Sequence, residues 1–371
     1  MELTKCKLGE LITQRREKND GSDLPICGVS KDGLIPPKQK DADTSIYNVF
    51  YRDDFIFNPA RMELNSIAIN DMYDRAICSS LYEVFYVHRT DLLLPHYLEL
   101  IIRQKWFTRY CKFLGQGSAR EYCRFGNISE IEIEFPPIEE QQKIVEYNTA
   151  IENRIALKQK INDNLEAQLS GVYHRFFDAS GNSDPGLISD LGEVVGGATP
   201  STGNPEYFCD DGIAWISPKD LTGTGLKFIY RGELCITESA YNSCSTKLMP
   251  AGTVLFTSRA PVGTVAIAMN DICTNQGFKS VIPKKEIGTA FVYYFLKENK
   301  QLIERHASGT TFMEVSGNVL KSIPAIVPKP EVASRFAAIC MPLFEEQRQN
   351  ELEIGRLQEL RQTLISSISS R

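Results

Sequence analysis

Leu8-Gly9-Glu10-Leu11-Ile12 returns as Leu191-Gly192-Glu193-Val194-Val195, 183 residues further along the chain. Val29-Ser30-Lys31-Asp32 then faces Ser217-Pro218-Lys219-Asp220. Arg61-Met62-Glu63-Leu64-Asn65-Ser66-Ile67-Ala68-Ile69 faces Arg259-Ala260-Pro261-Val262-Gly263-Thr264-Val265-Ala266-Ile267, by which point the offset has grown to 198. Ile77-Cys78-Ser79 matches Ile272-Cys273-Thr274, and Gly117-Ser118-Ala119-Arg120 matches Gly309-Thr310-Thr311-Phe312 at an offset of 192. A period this long means duplication of a domain rather than a solenoid. The drifting offset places insertions and deletions in loops on a shared scaffold, where a binding surface is varied.

Between and after the two variable halves lie segments of another kind, opened by Phe135-Pro136-Pro137-Ile138-Glu139-Glu140-Gln141-Gln142 and by Val327-Pro328-Lys329-Pro330-Glu331. Proline followed by acidic residues is a helix start signal. From Ile144 to Phe176, ten positions alternate spacings of four and three, and seven are apolar: Ile144, Ile151, Ile155, Leu165, Leu169, Val172 and Phe176. Adding 192 to each position gives a second seam, with Phe336, Cys340, Leu343, Ile354, Leu357, Leu364 and Ile368 as its seven apolar members. Two heptad seams of equal length predict a coiled-coil pair. The polar interruptions, Asn148, Lys158 and Asn162 on one and Gln347, Asn350 and Arg361 on the other, fit the device by which buried polar groups fix register.

The halves themselves read as mixed α+β units. Ile67–Ile69, Leu81–Val87 and Thr253–Thr257 are β-branched and aromatic runs bounded by turn formers, which predicts strands. Pro95 to Lys112 and Thr289 to Arg305 are the clearest helical stretches. The domain reading is therefore residues 1–135 and 181–327 for the duplicated units, and 136–180 and 328–371 for the long helices.

Composition narrows the function. With 41 basic and 47 acidic side chains in 371 residues, the net charge of −6 excludes a uniformly basic nucleic-acid coat but leaves room for local patches. Ten cysteines without a C-x-x-C suit neither a zinc site nor a disulfide scaffold. That usage, with no leader pattern and no long apolar run, predicts a reduced, cytoplasmic compartment and no membrane span. No G-x-x-x-x-G-K-[ST], H-E-x-x-H, G-x-S-x-G or G-x-G-x-x-G motif is present, and the methyl-transfer signature fails at both Asn58-Pro59-Ala60 and Asn204-Pro205-Glu206. His88, His96, His174 and His306 are scattered. The chain is expected to be a non-catalytic binder.

The duplicated Leu-Gly-Glu openings, Trp215-Ile216-Ser217-Pro218-Lys219-Asp220, Asn275-Gln276-Gly277-Phe278 and Pro137-Ile138-Glu139-Glu140-Gln141-Gln142-Lys143-Ile144 together resemble the specificity subunit of type I restriction-modification systems, over essentially the whole length. The resemblance implies an α+β chain of two target-recognition domains joined by two long antiparallel coiled-coil helices, each domain reading half of a split double-stranded DNA site. It also implies a prokaryotic, cytoplasmic setting and no cofactor in this chain. Two adenine methyltransferase subunits that bind S-adenosylmethionine, and two restriction subunits driven by ATP and Mg, are the implied partners. The helices then act as a ruler: Ile144 to Phe176 rises about 48 Å at ~1.5 Å per residue, very roughly 14 base pairs at ~3.4 Å each. A DNA reader of a type IIB-like defence system and a spacer scaffold with two ligand-binding domains are the competing readings.

For DNA contact, the stretch from Arg103 to Arg124 is the strongest electrostatic candidate. Arg103, Lys105, Arg109, Lys112, Arg120 and Arg124 stand against Glu121 alone, interleaved with aromatic residues, and Gly117-Ser118 adds flexible backbone donors. The matching region from Lys297 to Lys321 has four basic against three acidic residues, so the patch is not repeated. Arg61 and Arg259 hold equivalent positions before a strand and are candidate guanine readers. Lys31, Ser217, Lys219, Thr257 and Asn275 are further polar candidates on loops, whereas Asp32 and Asp220 are expected to order loops.

Overall fold

A computed structural model describes residues 3–31, 33–37, 43–115, 122–178, 181–223, 225–259, 261–308 and 313–369. The chain divides into two compact units, one of Met1–Ile155 with Arg356–Arg371 and the other of Ala156–Gly355. Among the described residues no helix is long and apolar enough to cross a membrane.

In the first unit, Ile12–Arg15, Glu83–Val87, Phe55–Phe57 and Ile67–Ile69 form an antiparallel four-stranded sheet. Its side chains alternate between two cores, as the pleat requires. Phe55, Phe57, Ile67, Ile69 and Phe85 pack against the helices, while Ile56, Ala68 and Val84 pack against a second sheet. Burial on both faces explains why these strands read as continuous apolar runs rather than alternating ones. In the second sheet Ile26–Ser30 runs parallel to Arg75–Cys78, with Cys27 beside Cys78.

The second unit repeats the pairings. Gly192–Gly196, Lys279–Pro283, Val254–Phe256 and Val265–Ala268 match the first sheet in order, with Phe228–Ile229 added at the edge. Ile213–Ile216 again runs parallel to Ile272–Thr274. Duplication is thus visible in strand register as well as in sequence.

Two helical readings need correction. The stretch from Pro95 to Lys112 is two helices, Pro95–Ile102 and Lys105–Gly115, and that from Thr289 to Arg305 is Thr289–Glu298 and Lys300–Arg305. A side-chain amide sits at each break. Buried Gln104 donates to the Ile365 carbonyl (3.3 Å) and accepts from the Trp106 indole, and Asn299 donates to the Phe295 carbonyl (2.9 Å).

The long helices run Ile138–Phe177 and Pro330–Ser369. Every seam position is buried or half-buried, and all six polar interruptions pair across the two helices. Within the first unit, Arg361 Nε donates to Asn148 Oδ1 (3.0 Å) and its guanidinium also meets Glu152. Within the second, Lys158 Nζ donates to Asn350 Oδ1 (2.9 Å), Asn350 Nδ2 to Asn162 Oδ1 (2.8 Å), and Asn162 Nδ2 to the Gln347 carbonyl (3.2 Å). Partners rise in number on one helix as they fall on the other, so the pair is antiparallel.

Each unit also hides an ion pair. Arg15 makes a bidentate contact with Asp54 (2.6 and 3.0 Å), between the rings of Tyr51 and Tyr86 at 4.7 and 4.6 Å. In the second unit Lys227 meets Glu166 on the first long helix at 2.7 Å. Burial pushes the Lys227 ammonium down to about 8 against the pull of Glu166. Burial also works against the Glu166 carboxylate, but Lys227 and Lys297 outweigh it and hold the group down at about 2. Because that value lies below its unfolded one near 4.5, Glu166 contributes stability above pH ~4.5 that disappears as pH falls towards 2, on the order of 3 kcal/mol in all. Burial lifts the nearby Glu351 carboxyl to about 6, and the Glu166 charge adds to that lift. The melting-temperature gap between native protein and Glu166→Gln is therefore expected to close between pH ~4.5 and 2. A gap of the same size at every pH would show that Glu166 carries no linked charge.

Candidate nucleic-acid interface

The first unit carries an open groove of about 1050 Å³, and three of the sequence-selected cations, Lys31, Arg61 and Arg124, line it together with Tyr47, Tyr82 and Tyr122. Arg61 stands exposed on the Pro59–Leu64 turn. That turn is well held. Asn58 caps it through Ala60 N (3.1 Å), Asn65 closes it in the left-handed region (φ 53°), and Pro59 O accepts from Cys123 N at 3.0 Å. Inside it Arg61 has a non-helical backbone (φ −138°, ψ 26°), a local departure from the helical turn around it. Among the described residues Arg61 has no carboxylate partner, and its guanidinium carries five N–H donors.

Lys31 is held by its backbone: its carbonyl accepts from Arg103 Nη1 at 2.8 Å, while Arg103 also pairs with Glu99 at 3.2 Å. Arg103 is thus a brace behind the groove rather than a free cation. Arg124 lies over the Tyr122 ring (5.2 Å) and meets Glu83 at 3.2 Å, leaving its side chain 64% exposed. The carboxylate tempers Arg124 without hiding it.

Lys105, Arg109 and Lys112 fall at i, i+4 and i+7 on the helix Lys105–Gly115 and form one exposed stripe. The opposite face, with Phe107 and Cys111, is buried in the core. Exposed Tyr110 and Phe113 stack beside the stripe at 6.2 Å between ring centroids. Among the described residues no ion pair engages the three cations. Ser118, Arg120, Glu121 and Gly117 lie outside the described residues, as do Asp32 and 309–312.

The second unit treats its candidates differently. Thr257 is fully buried, donating to the Pro261 carbonyl (2.7 Å) and accepting from Thr264 N (2.8 Å), so it holds a turn and presents nothing to solvent. Asn275 Oδ1 accepts from Gly277 N (2.8 Å) and closes the turn of the Asn275-Gln276-Gly277-Phe278 motif. Ser217 caps the short helix that follows it, with N and Oγ both donating to Asp220 Oδ2 (2.7 and 2.6 Å). Asp220 Oδ1 in turn accepts from Glu233 N (2.7 Å), the loop-ordering role expected of it. Lys219 and Arg259 are on the surface but paired, with Glu233 at 2.7 Å and Glu314 at 3.0 Å. A more open recess of about 400 Å³ lies here, lined by Lys219, Tyr230, Arg231 and Glu233 among others. Tyr47, Tyr82 and Arg231 line these recesses and were not singled out as contacts by the sequence.

Two copies of one mixed α/β unit, each seated on its own stretch of an antiparallel helix pair, define a duplicated recognition chain. The chain belongs to the family of the type I restriction modification DNA specificity domain, which matches residues 6–167 and again residues 183–362. The MjaIX specificity subunit of Methanocaldococcus jannaschii is 42% identical over 172 residues, which are 44% of this chain and 39% of that protein, so this match spans well under half of the relative. The HindI specificity subunit of Haemophilus influenzae is 22% identical across 74% of this chain and 76% of its own length. A solved S subunit of the type I restriction-modification system from M. genitalium superposes with a TM-score of 0.63 at 14% identity, covering 99% of this chain and 96% of that one, which establishes the shared fold.

Proposed function

We propose that this chain reads a split site on double-stranded DNA for a type I restriction-modification complex, one half-site per recognition unit. The observation that carries this is the first unit's groove, where Lys31, Arg61 and Arg124 converge between tyrosines in a protein of net charge −6. In this reading Arg61 forks onto a base edge, the commonest direct contact being Arg to guanine O6 and N7. Lys105, Arg109 and Lys112 meet phosphates and set register without reading sequence. The second unit reads its half-site with Lys219 and Arg259, whose acidic partners must release them or share them with DNA, and with Arg231, which donates to the Asp210 carbonyl at 2.6 Å. Ser217, Thr257 and Asn275 serve this surface as supports for its loops.

Methyl transfer and cleavage belong to partners: methyltransferase subunits that carry S-adenosylmethionine, two of them by the internal duplication, and restriction subunits that use ATP and Mg. Flanking subunits also supply much of the phosphate neutralisation that an acidic chain lacks. The test is to co-express the chain with the methyltransferase encoded beside it and map methylated adenines across the host DNA by single-molecule sequencing. One split motif is the expected result. Exchanging residues 1–135 for another recognition domain is expected to rewrite one half of that motif and leave the other intact. Folded, associated proteins that methylate no motif would instead favour a scaffold that spaces two ligand-binding domains.

A further inference from the structure

Lys227 is 6% exposed, and its ammonium is shared among three elements of the second unit. Nζ lies 2.7 Å from Glu166 on the first long helix, 2.9 Å from Gln347 Oε1 on the second, and 3.1 Å from the Tyr294 hydroxyl on the helix Thr289–Glu298. Aromatic rings close over it, Phe344 at 3.7 Å and Tyr293 at 4.5 Å. Lys227 N and Phe228 N, at the start of the edge strand, both donate to Glu351 of the second long helix (2.9 and 3.1 Å). The sheet that carries the second recognition surface is therefore clamped to both long helices through one residue. Gln347 also belongs to the ladder of polar pairs that sets helix register, since its Nε2 donates to the Asn162 carbonyl at 3.2 Å.

A clamp of this kind is a costly way to gain stability, because desolvation offsets most of the attraction and replacing a whole buried pair with apolar groups is often neutral, although removing one partner alone is not. Its attested use is to select one geometry among several of similar energy. The first unit seats itself by other means: Gln141 donates to the Leu92 and Pro136 carbonyls (2.7 and 2.8 Å) and accepts from Leu94 N at 2.9 Å. Only the second seat depends on a buried ammonium among the described residues.

We propose that Lys227 is a positioning residue that fixes the seat of the second recognition sheet on the helices, and thereby confines the complex to one spacer length between the half-sites. The inference rests on the split-site reading above. The test uses the full chain with its methyltransferase partner and duplexes carrying the two native half-sites at the native spacer and at spacers one and two base pairs shorter or longer. Native protein is expected to methylate at one spacer. Lys227→Met, which fills the cage without charge and leaves Glu166 to Lys297, is expected to lower the melting temperature but keep the half-site sequences unchanged, yet to methylate neighbouring spacers as well; Lys227→Arg is expected to restore the restriction. A uniform fall in rate with the spacer profile unchanged would overturn the proposal and leave a structural role. Should Lys227→Met fail to fold, Glu166→Gln carries the same comparison, since it leaves the ammonium its Gln347 and Tyr294 partners. Native protein that ignores spacer length defeats the lock alone; native protein that methylates no split site defeats the lock and the split-site reading together.

Discussion

Arg15→Ala is expected to destabilise the first unit by about 3–5 kcal/mol, the range for breaking one side of a buried ion pair. The reason lies in what is left behind. Asp54 is 2% exposed in its side chain and accepts from Arg15 Nε, Arg15 Nη2 and Tyr51 N. Burial already lifts its carboxyl above the ordinary carboxylate value even with Arg15 in place. Remove the guanidinium and the anion keeps one backbone donor in a space vacated between Tyr51 and Tyr86, so it must take up a proton or draw in water. The lost stacking on both rings adds to the effect, at roughly 0.5–2 kcal/mol per cation–π contact. Denaturant unfolding of native and variant protein gives the difference directly. A double-mutant cycle with Asp54→Ala separates pair from parts: Arg15→Ala in the Asp54→Ala background is expected to lose much less. A single-variant effect below about 1 kcal/mol would put the pair with exposed salt bridges instead.

How much of this was legible in the sequence depends on the range of the interaction. The duplication, the strands at Ile67–Ile69 and Val254–Phe256, and the helix pair follow from local words and periods, and the structure repeats them in strand register. The six polar interruptions could be named as register devices, because heptad position is a property of the sequence. The helix breaks at Gln104 and Asn299 could not, since no Pro or Gly stands at either to mark it. The charge of the interface was visible but its pairing was not. Arg61 and Arg259 occupy the same place in the repeat, yet Glu314 engages only the second. Thr257, Ser217 and Asn275 have the polarity of DNA contacts and spend it on turns. Lys227 is one lysine among 41 basic residues in the sequence, and its partners are 61, 67 and 120 residues away. Contacts at that separation are set by the assembled core.

Neutralising the helix stripe is expected to affect DNA binding more than any other surface change, and in a way that distinguishes it from the groove. Lys105, Arg109 and Lys112 project from one exposed face with no ion pair among the described residues, so each is available to a phosphate. If each replaces one condensed counterion, the triple alanine variant lowers the slope of log affinity against log salt by about 2.7. Between 50 and 200 mM salt, native binding then weakens about 40-fold more than binding by the variant. Phosphates are the same at every base pair, so matched and mismatched duplexes should lose affinity alike. Arg61→Ala is expected to behave in the opposite manner. Its larger effect is discrimination at one position of one half-site, about 1–3 kcal/mol for a bidentate contact, with the salt slope changed by one charge at most. Filter or fluorescence titrations of the complex on matched duplex, duplex mutated in each half, and random duplex resolve the two patterns. Equal losses of discrimination from both variants would mean that the stripe and the groove act as one surface, and that phosphate and base contacts are not divided between the helix and the Pro59–Leu64 turn.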